Sequence, residues 1–308
     1  MYLSIFMSLF LSKSLNGQVL NSQEIGTGTN IQRNASFNVE EIKVRWKKAA
    51  LENCTGESCV PRCGDLIIRD IDNNSYKTVQ IGTQCWTKEN LKVTRYNDGT
   101  LIPDETMSTG PNWAALTTGA RTSYLGDILA ATGFVQVTDY IKTYGYLYNW
   151  YAAAGIVSAS GPSIKNICPT GWHVPSDSEW SILLKELDVD AVISGSQWES
   201  LIASGKMRDN KDWNGRPALG GLIPPDPLST NSSGFTALPA GERGVNGSGS
   251  GSGIVGGFSL IGSLASFWST TPFSGVPAGY YRSLDGSNSV TRGYFPRGNG
   301  QSIRCIKD

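Results

Sequence analysis

Six cysteines, Cys54, Cys59, Cys63, Cys85, Cys168 and Cys305, restrict what this chain can become, because thiols are staples or metal ligands according to compartment. The N-terminus speaks to that. Tyr2 to Leu11 form an apolar run too short to cross a bilayer, and a polar stretch follows to Gly17. This pattern predicts a signal peptide over residues 1–17, cleaved near Gly17–Gln18. No Lys or Arg precedes the run, and Leu15 stands where a small side chain is usual. The competing reading is a hydrophobic N-terminus of a cytosolic protein. No cysteine follows the run at a lipidation position, and no integral membrane span is expected after cleavage.

Export implies oxidised cysteines. Cys54, Cys59 and Cys63 crowd together, Cys85 follows, and Cys168 and Cys305 stand far apart, a spacing that favours two local staples and one long bridge. Zinc on Cys54, Cys59, Cys63 and Cys85 needs retained thiolates in an uncommon ligand spacing, so no metal is expected. The Asp70–Asn74 segment offers too few carboxylates for a calcium loop and reads as a turn. No cofactor is expected either, since the Gly-Ser run at 247–253 lacks the Lys and opening helix of a phosphate cradle.

The charge balance narrows the partners. With 26 basic and 26 acidic residues there is no electrostatic footprint for nucleic acid or an anionic membrane. Gly at 36 positions and aromatic residues at 10% suit a loop-rich fold anchored by Trp and Tyr rather than a helical bundle.

Along the chain, residues 18–64 read as a polar lead segment or stalk, with one amphipathic stretch at Val39–Leu51. The domain pattern begins at Asp65. Leu66–Ile68 and Tyr76–Ile81 flank Asp70–Asn74, which predicts a hairpin, since Asp and Asn tolerate left-handed backbone. Ser176 and Glu179 stand in capping-box relation, and Trp180, Leu183, Leu184 and Leu187 repeat at helical spacing. They predict one main helix over about 176–187. Strand-like runs follow at Gly234–Leu238, Ala265–Thr270, Gly279–Leu284 and Ser302–Ile306, among long Gly/Ser-rich loops. The result is an α+β domain over 65–308 with short antiparallel strands.

Five ordered segments, Val79–Leu91, Tyr144–Ala152, Cys168–Trp180, Phe267–Thr271 and Ser302–Asp308, resemble the Fibrobacter succinogenes major paralogous domain, found in secreted and surface proteins of Bacteroidota. The resemblance implies a C-type-lectin-like fold related to the formylglycine-generating enzyme scaffold. It also implies a Cys168–Cys305 disulfide, because both lie in matched motifs. Those enzymes use a late cysteine pair, whereas only Cys305 follows Cys168 here, so their chemistry is not implied.

Other chemistry finds little support in the sequence. His173 is the single histidine, no nucleophile can be paired with it by spacing, and a backbone hydrogen bond is its expected fate. Calcium-dependent sugar binding lacks its motifs: Trp268-Ser-Thr-Thr and Ile223–Pro227 replace them. The expectation is therefore not an enzyme but a secreted or cell-surface binding or adhesion module for a glycan or protein. Its candidate face is Trp268, Tyr280, Tyr281, Arg282, Asp285, Asn288, Arg292, Tyr294 and Arg297, with Phe273 beside them, a paratope-like composition. Strand alternation puts one of Tyr280 and Tyr281 in the core and the other outside. Alternatives are a structural envelope component, and a secreted enzyme using two carboxylates such as Asp209 and Asp212 near Trp213.

Overall fold

A computed structural model of the chain describes residues 62–124, 137–158, 164–192, 198–210, 213, 228–245 and 256–308. The expected signal peptide, most of the expected lead segment with Cys54 and Cys59, Asp212, the 223–227 loop and the Gly-Ser run lie outside the described residues.

Strands β1 (Ile67–Arg69), β2 (Ser75–Ile81) and β3 (Gln84–Thr87) form an antiparallel meander. Asp70 closes its first turn as expected. Its Oδ1 accepts the Asn74 backbone N–H at 2.9 Å, and its Oδ2 accepts the Tyr76 hydroxyl at 2.6 Å, while Asn73 takes φ 65°. Next come α1 (Gly110–Ala114), β4 (Arg121–Thr122), α2 (Val137–Tyr144), β5 (Leu147–Tyr148) and α3 (Trp150–Ala153). Strand β6 (Trp172–His173) leads into α4 (Asp177–Leu187). There Ser176 Oγ accepts Glu179 N–H and Glu179 Oε2 accepts Ser176 N–H, the reciprocal cap read from sequence. Trp180, Leu183 and Leu184 are buried, with Leu187 half-buried at the end of the stripe.

Strands β7 (Trp198–Ser200), β8 (Glu242–Arg243), β9 (Phe258–Ser259), β10 (Ala265–Pro272), β11 (Ala278–Leu284), β12 (Val290–Pro296) and β13 (Ile306–Lys307), with α5 (Ala203–Met207), complete the described elements. The last strand returns to the first meander, giving a five-stranded sheet ordered β1-β2-β3-β13-β6; a second sheet runs β10-β11-β12-β7. Two expected strands are corrected. Gly234–Leu238 makes a single bridge, Arg208 to Ala237, because Gly234 and Thr236 have positive φ and break the extended backbone. Of Ser302–Ile306, only Ile306 enters β13.

The β10–β12 sheet is covered on both faces. Phe267, Leu284 and Val290 pack with Trp180 and Trp86 beneath α4. Trp268 and Tyr281 pack on the other face with Trp150, Trp172 and Ile303. Gly279 permits this, since a Cβ there would collide with the Trp150 ring. Cys168–Cys305 is a disulfide within that second cluster, closing 137 residues of chain, and Cys63–Cys85 is one local staple.

Arg304 is fully buried and makes no ion pair within 4 Å among the described residues. Its Nε donates to Asn90 Oδ1 at 2.6 Å, and its terminal nitrogens donate to the carbonyls of Thr87, Phe235 and Thr236. Phe235 and Phe267 flank the guanidinium at 4.6 and 5.4 Å, and burial pulls its pKa down to about 9.

Candidate functional site

The nine residues expected to form one binding face are divided among three environments. Trp268 is fully buried: β10 is the edge strand of its sheet but is covered on both faces, and the indole Nε1 donates to the Tyr148 carbonyl at 2.8 Å. Arg282 is also fully buried, beneath the start of α4. Both are corrected from ligand contacts to interior residues. Asp285 and Asn288 belong to the β11–β12 turn. The Asp285 carboxylate accepts the Ser287 N–H, and the Asn288 carbonyl accepts Ser204 N–H from α5. Arg297 stacks on Trp150, its guanidinium 4.4 Å from the ring centroid.

The register explains the rest. Leu284 opposes Val290, Arg282 opposes Arg292 and Tyr280 opposes Tyr294, so all six project from the face that carries α4. The first pair lies under the helix. The arginine pair meets the helix N-terminus, where Arg282 Nη1 reaches Asp177 Oδ1 at 2.7 Å and Arg292 Nη2 reaches Asp177 Oδ2 at 2.8 Å. Glu199 on β7 takes the remaining charge, its Oε2 lying 2.5 Å from Arg282 Nε. Burial pushes the Asp177 carboxyl up, but Arg292 and Arg282 outweigh it and the net shift is downward. For Glu199 burial prevails over Arg282, and the net shift is upward.

The tyrosine pair lies beyond the helix start. Tyr294 is 52% exposed, and Phe273 stacks on it with centroids 3.8 Å apart. Tyr280 meets Phe273 edge-on at 5.4 Å, and the Arg292 guanidinium lies 4.0 Å from the Tyr280 ring centroid. Tyr281 points to the opposite face and stacks on Phe295 at 4.3 Å. Alternation correctly separates their faces, but both tyrosines are half-buried, so the expectation of one in the core and one in solvent is corrected. The remaining platform is thus Phe273, Tyr280, Arg292 and Tyr294, fixed from below by Asp177. Asp177 and Glu199 carry no signal in the sequence that would have linked them to this face, since their partners lie more than eighty residues away in the chain.

His173 departs from expectation. Its Nδ1 lies 2.6 Å from Asp308 Oδ1 and its Nε2 lies 2.9 Å from Glu179 Oε1, in place of a backbone acceptor. Burial lowers its pKa, yet the two carboxylates outweigh burial and raise it overall. The clamp joins the chain's final residue to α4. Of the carboxylate pair considered for hydrolysis, Asp212 lies outside the described residues; Trp213 is buried and donates to the Ala237 carbonyl at 3.1 Å. Among the described residues no three His, Cys, Asp or Glu side chains gather to hold a metal, and no helix is long and apolar enough to cross a membrane.

The disulfide from the α4 approach to the final strand, and the arginine set one residue before it, both fall in segments that a family model matches. The model of the Fibrobacter succinogenes major domain aligns with residues 79–307. The chain belongs to that family. The Fibrobacter succinogenes major domain therefore spans β3 through β13 and the five described helices, together with the last three residues of β2. No curated protein and no solved structure matches the chain. Within this Fibrobacter succinogenes major domain, the aromatic platform stands on β10–β12 and the turn joining β10 to β11.

Proposed function

We propose that the chain is an exported, non-catalytic binding module that holds a glycan or protein at the bacterial cell surface. The observation that carries this reading is the stack of half-buried Phe273 on exposed Tyr294, with Tyr280 and Arg292 beside it. Rigid aromatic rings offer large contact area at little cost in side-chain entropy, and Arg292 is already oriented by Asp177. A C-type-lectin-like classification is part of the proposal. The return of β13 to the first meander and the antiparallel β10–β12 sheet support it. Export is supported by the apolar run at Tyr2–Leu11 and by the two disulfides.

The test is an array of glycans and cell-surface proteins probed with the full chain and with a Phe273→Ala/Tyr294→Ser variant. A ligand retained by the first and lost by the second supports the reading. Binding to nothing, or equal binding by both of every ligand captured, overturns it.

A further inference from the structure

A cleft of about 400 Å³ opens between the β1–β2 turn and α2, and none of its lining residues belongs to β10, β11 or β12. Its chemistry is one-sided. Lys92 and Lys142 both line it, and neither makes an ion pair among the described residues. The acid in the wall, Asp72, is engaged already. Its Oδ2 accepts Thr94 N–H and the Thr94 hydroxyl at 2.5 and 2.7 Å, and its Oδ1 faces Arg95 Nε at 3.7 Å. Lys92 Nζ lies 5.8 Å from the Tyr76 ring centroid and Lys142 is exposed, so two ammonium groups border a space whose lining acid is already hydrogen-bonded, which favours a negatively charged occupant.

The other walls say what carries that charge. Tyr146 and Ile141 present ring and alkyl surface, and the Tyr146 ring is held by the Arg121 guanidinium 4.4 Å from its centroid. Arg121 is itself fixed by Asp104 at 2.6 Å. The Thr94 hydroxyl donates to Asp72, which leaves its lone pairs to accept from a ligand hydroxyl. We propose that this cleft binds a uronic-acid unit of an acidic polysaccharide, its carboxylate between Lys92 and Lys142 and its ring against Tyr146 and Ile141. The volume suits one or two pyranose rings. An acidic peptide fits less well, because an Asp or Glu side chain must be immobilised on binding whereas a uronate carboxylate is fixed to its ring.

Isothermal titration of the full chain with trigalacturonic acid tests this, with neutral galactotriose and acetylated triaspartate as comparisons. Trigalacturonic acid should saturate one site, with galactotriose at least about tenfold weaker and affinity falling as salt rises. Lys92→Gln and Lys142→Gln should each weaken binding about fivefold, while Lys142→Arg retains it. Lys142 is exposed, so its variants keep the fold, which circular dichroism checks. The Phe273→Ala/Tyr294→Ser variant should bind trigalacturonic acid like the parent, which separates this cleft from the aromatic platform. Absent binding, equal affinity for galactotriose, tighter binding of triaspartate, or an unchanged Lys92→Gln/Lys142→Gln double variant overturns the proposal.

Discussion

Arg282 Nη1 lies 2.7 Å from Asp177 Oδ1, tying the centre of β11 to the first residue of α4. Arg282 also neutralises Glu199, which is only 2% exposed. Removing the guanidinium leaves that buried carboxylate, among the described residues, only Arg292 as a cation, its Nε 3.6 Å from Glu199 Oε1, so Arg282→Ala should cost about 3 kcal/mol. Asp177→Asn keeps the shape and should cost less. Urea unfolding curves for both variants check the order.

His173 makes stability fall as pH rises above neutrality. Its folded-state pKa is raised, so the stabilisation is complete below the unfolded value of 6.5 and is lost as pH climbs through the higher folded value. Because the ring is partly exposed, the effect is at most about 1 kcal/mol. His173→Gln should flatten this slope in denaturation midpoints measured between pH 6 and 9.

Glu242 predicts a second slope in a lower window. Its Oε2 has no hydrogen-bond partner among the described residues, and burial pushes the carboxyl from 4.5 up to about 7. The folded state therefore holds the proton more tightly than the unfolded chain. Stability should decline by about 3 kcal/mol as pH rises from 4.5 to 7 and then level off. Glu242→Gln removes that decline; a parallel pH profile in the variant contradicts the assignment.

Cys168–Cys305 closes most of the domain. Replacing both with Ser should lower stability by about 4–5 kcal/mol in the chain-entropy account. Thermal melts of the oxidised parent and the double variant compare the two directly. Cys63–Cys85, closing a shorter loop, should matter less.

Phe273→Ala and Tyr294→Ser remove exposed or half-exposed rings from the platform. Tyr294→Ser should shift stability by less than about 0.5 kcal/mol, since no core contact is lost. Loss of ligand with an unchanged melting curve separates a contact role from a folding role.

Much of the scaffold was legible in the sequence because it is encoded locally. The capping box at Ser176 and Glu179 and the Trp180–Leu187 stripe specify the eleven-residue α4 from within itself and its cap, and Asp70 closes its own hairpin turn. The Tyr280 and Tyr281 faces followed from strand periodicity alone. The binding surface was not legible in the same way. Trp268 and Arg282 have the composition of contact residues, and nothing nearby in the chain shows that their strands, β10 and β11, lie between two packed layers.

The amino-acid order alone thus determined the turns, the main helix, the alternation of the late strands and the family. The tertiary structure decided which of those side chains meet water. Burial depends on what covers a strand from outside its own neighbourhood: α4 and Glu199 over Arg282, and α3 and Tyr148 over Trp268. Periodicity gives a side chain its direction, but only packing between distant segments supplies the surface it meets.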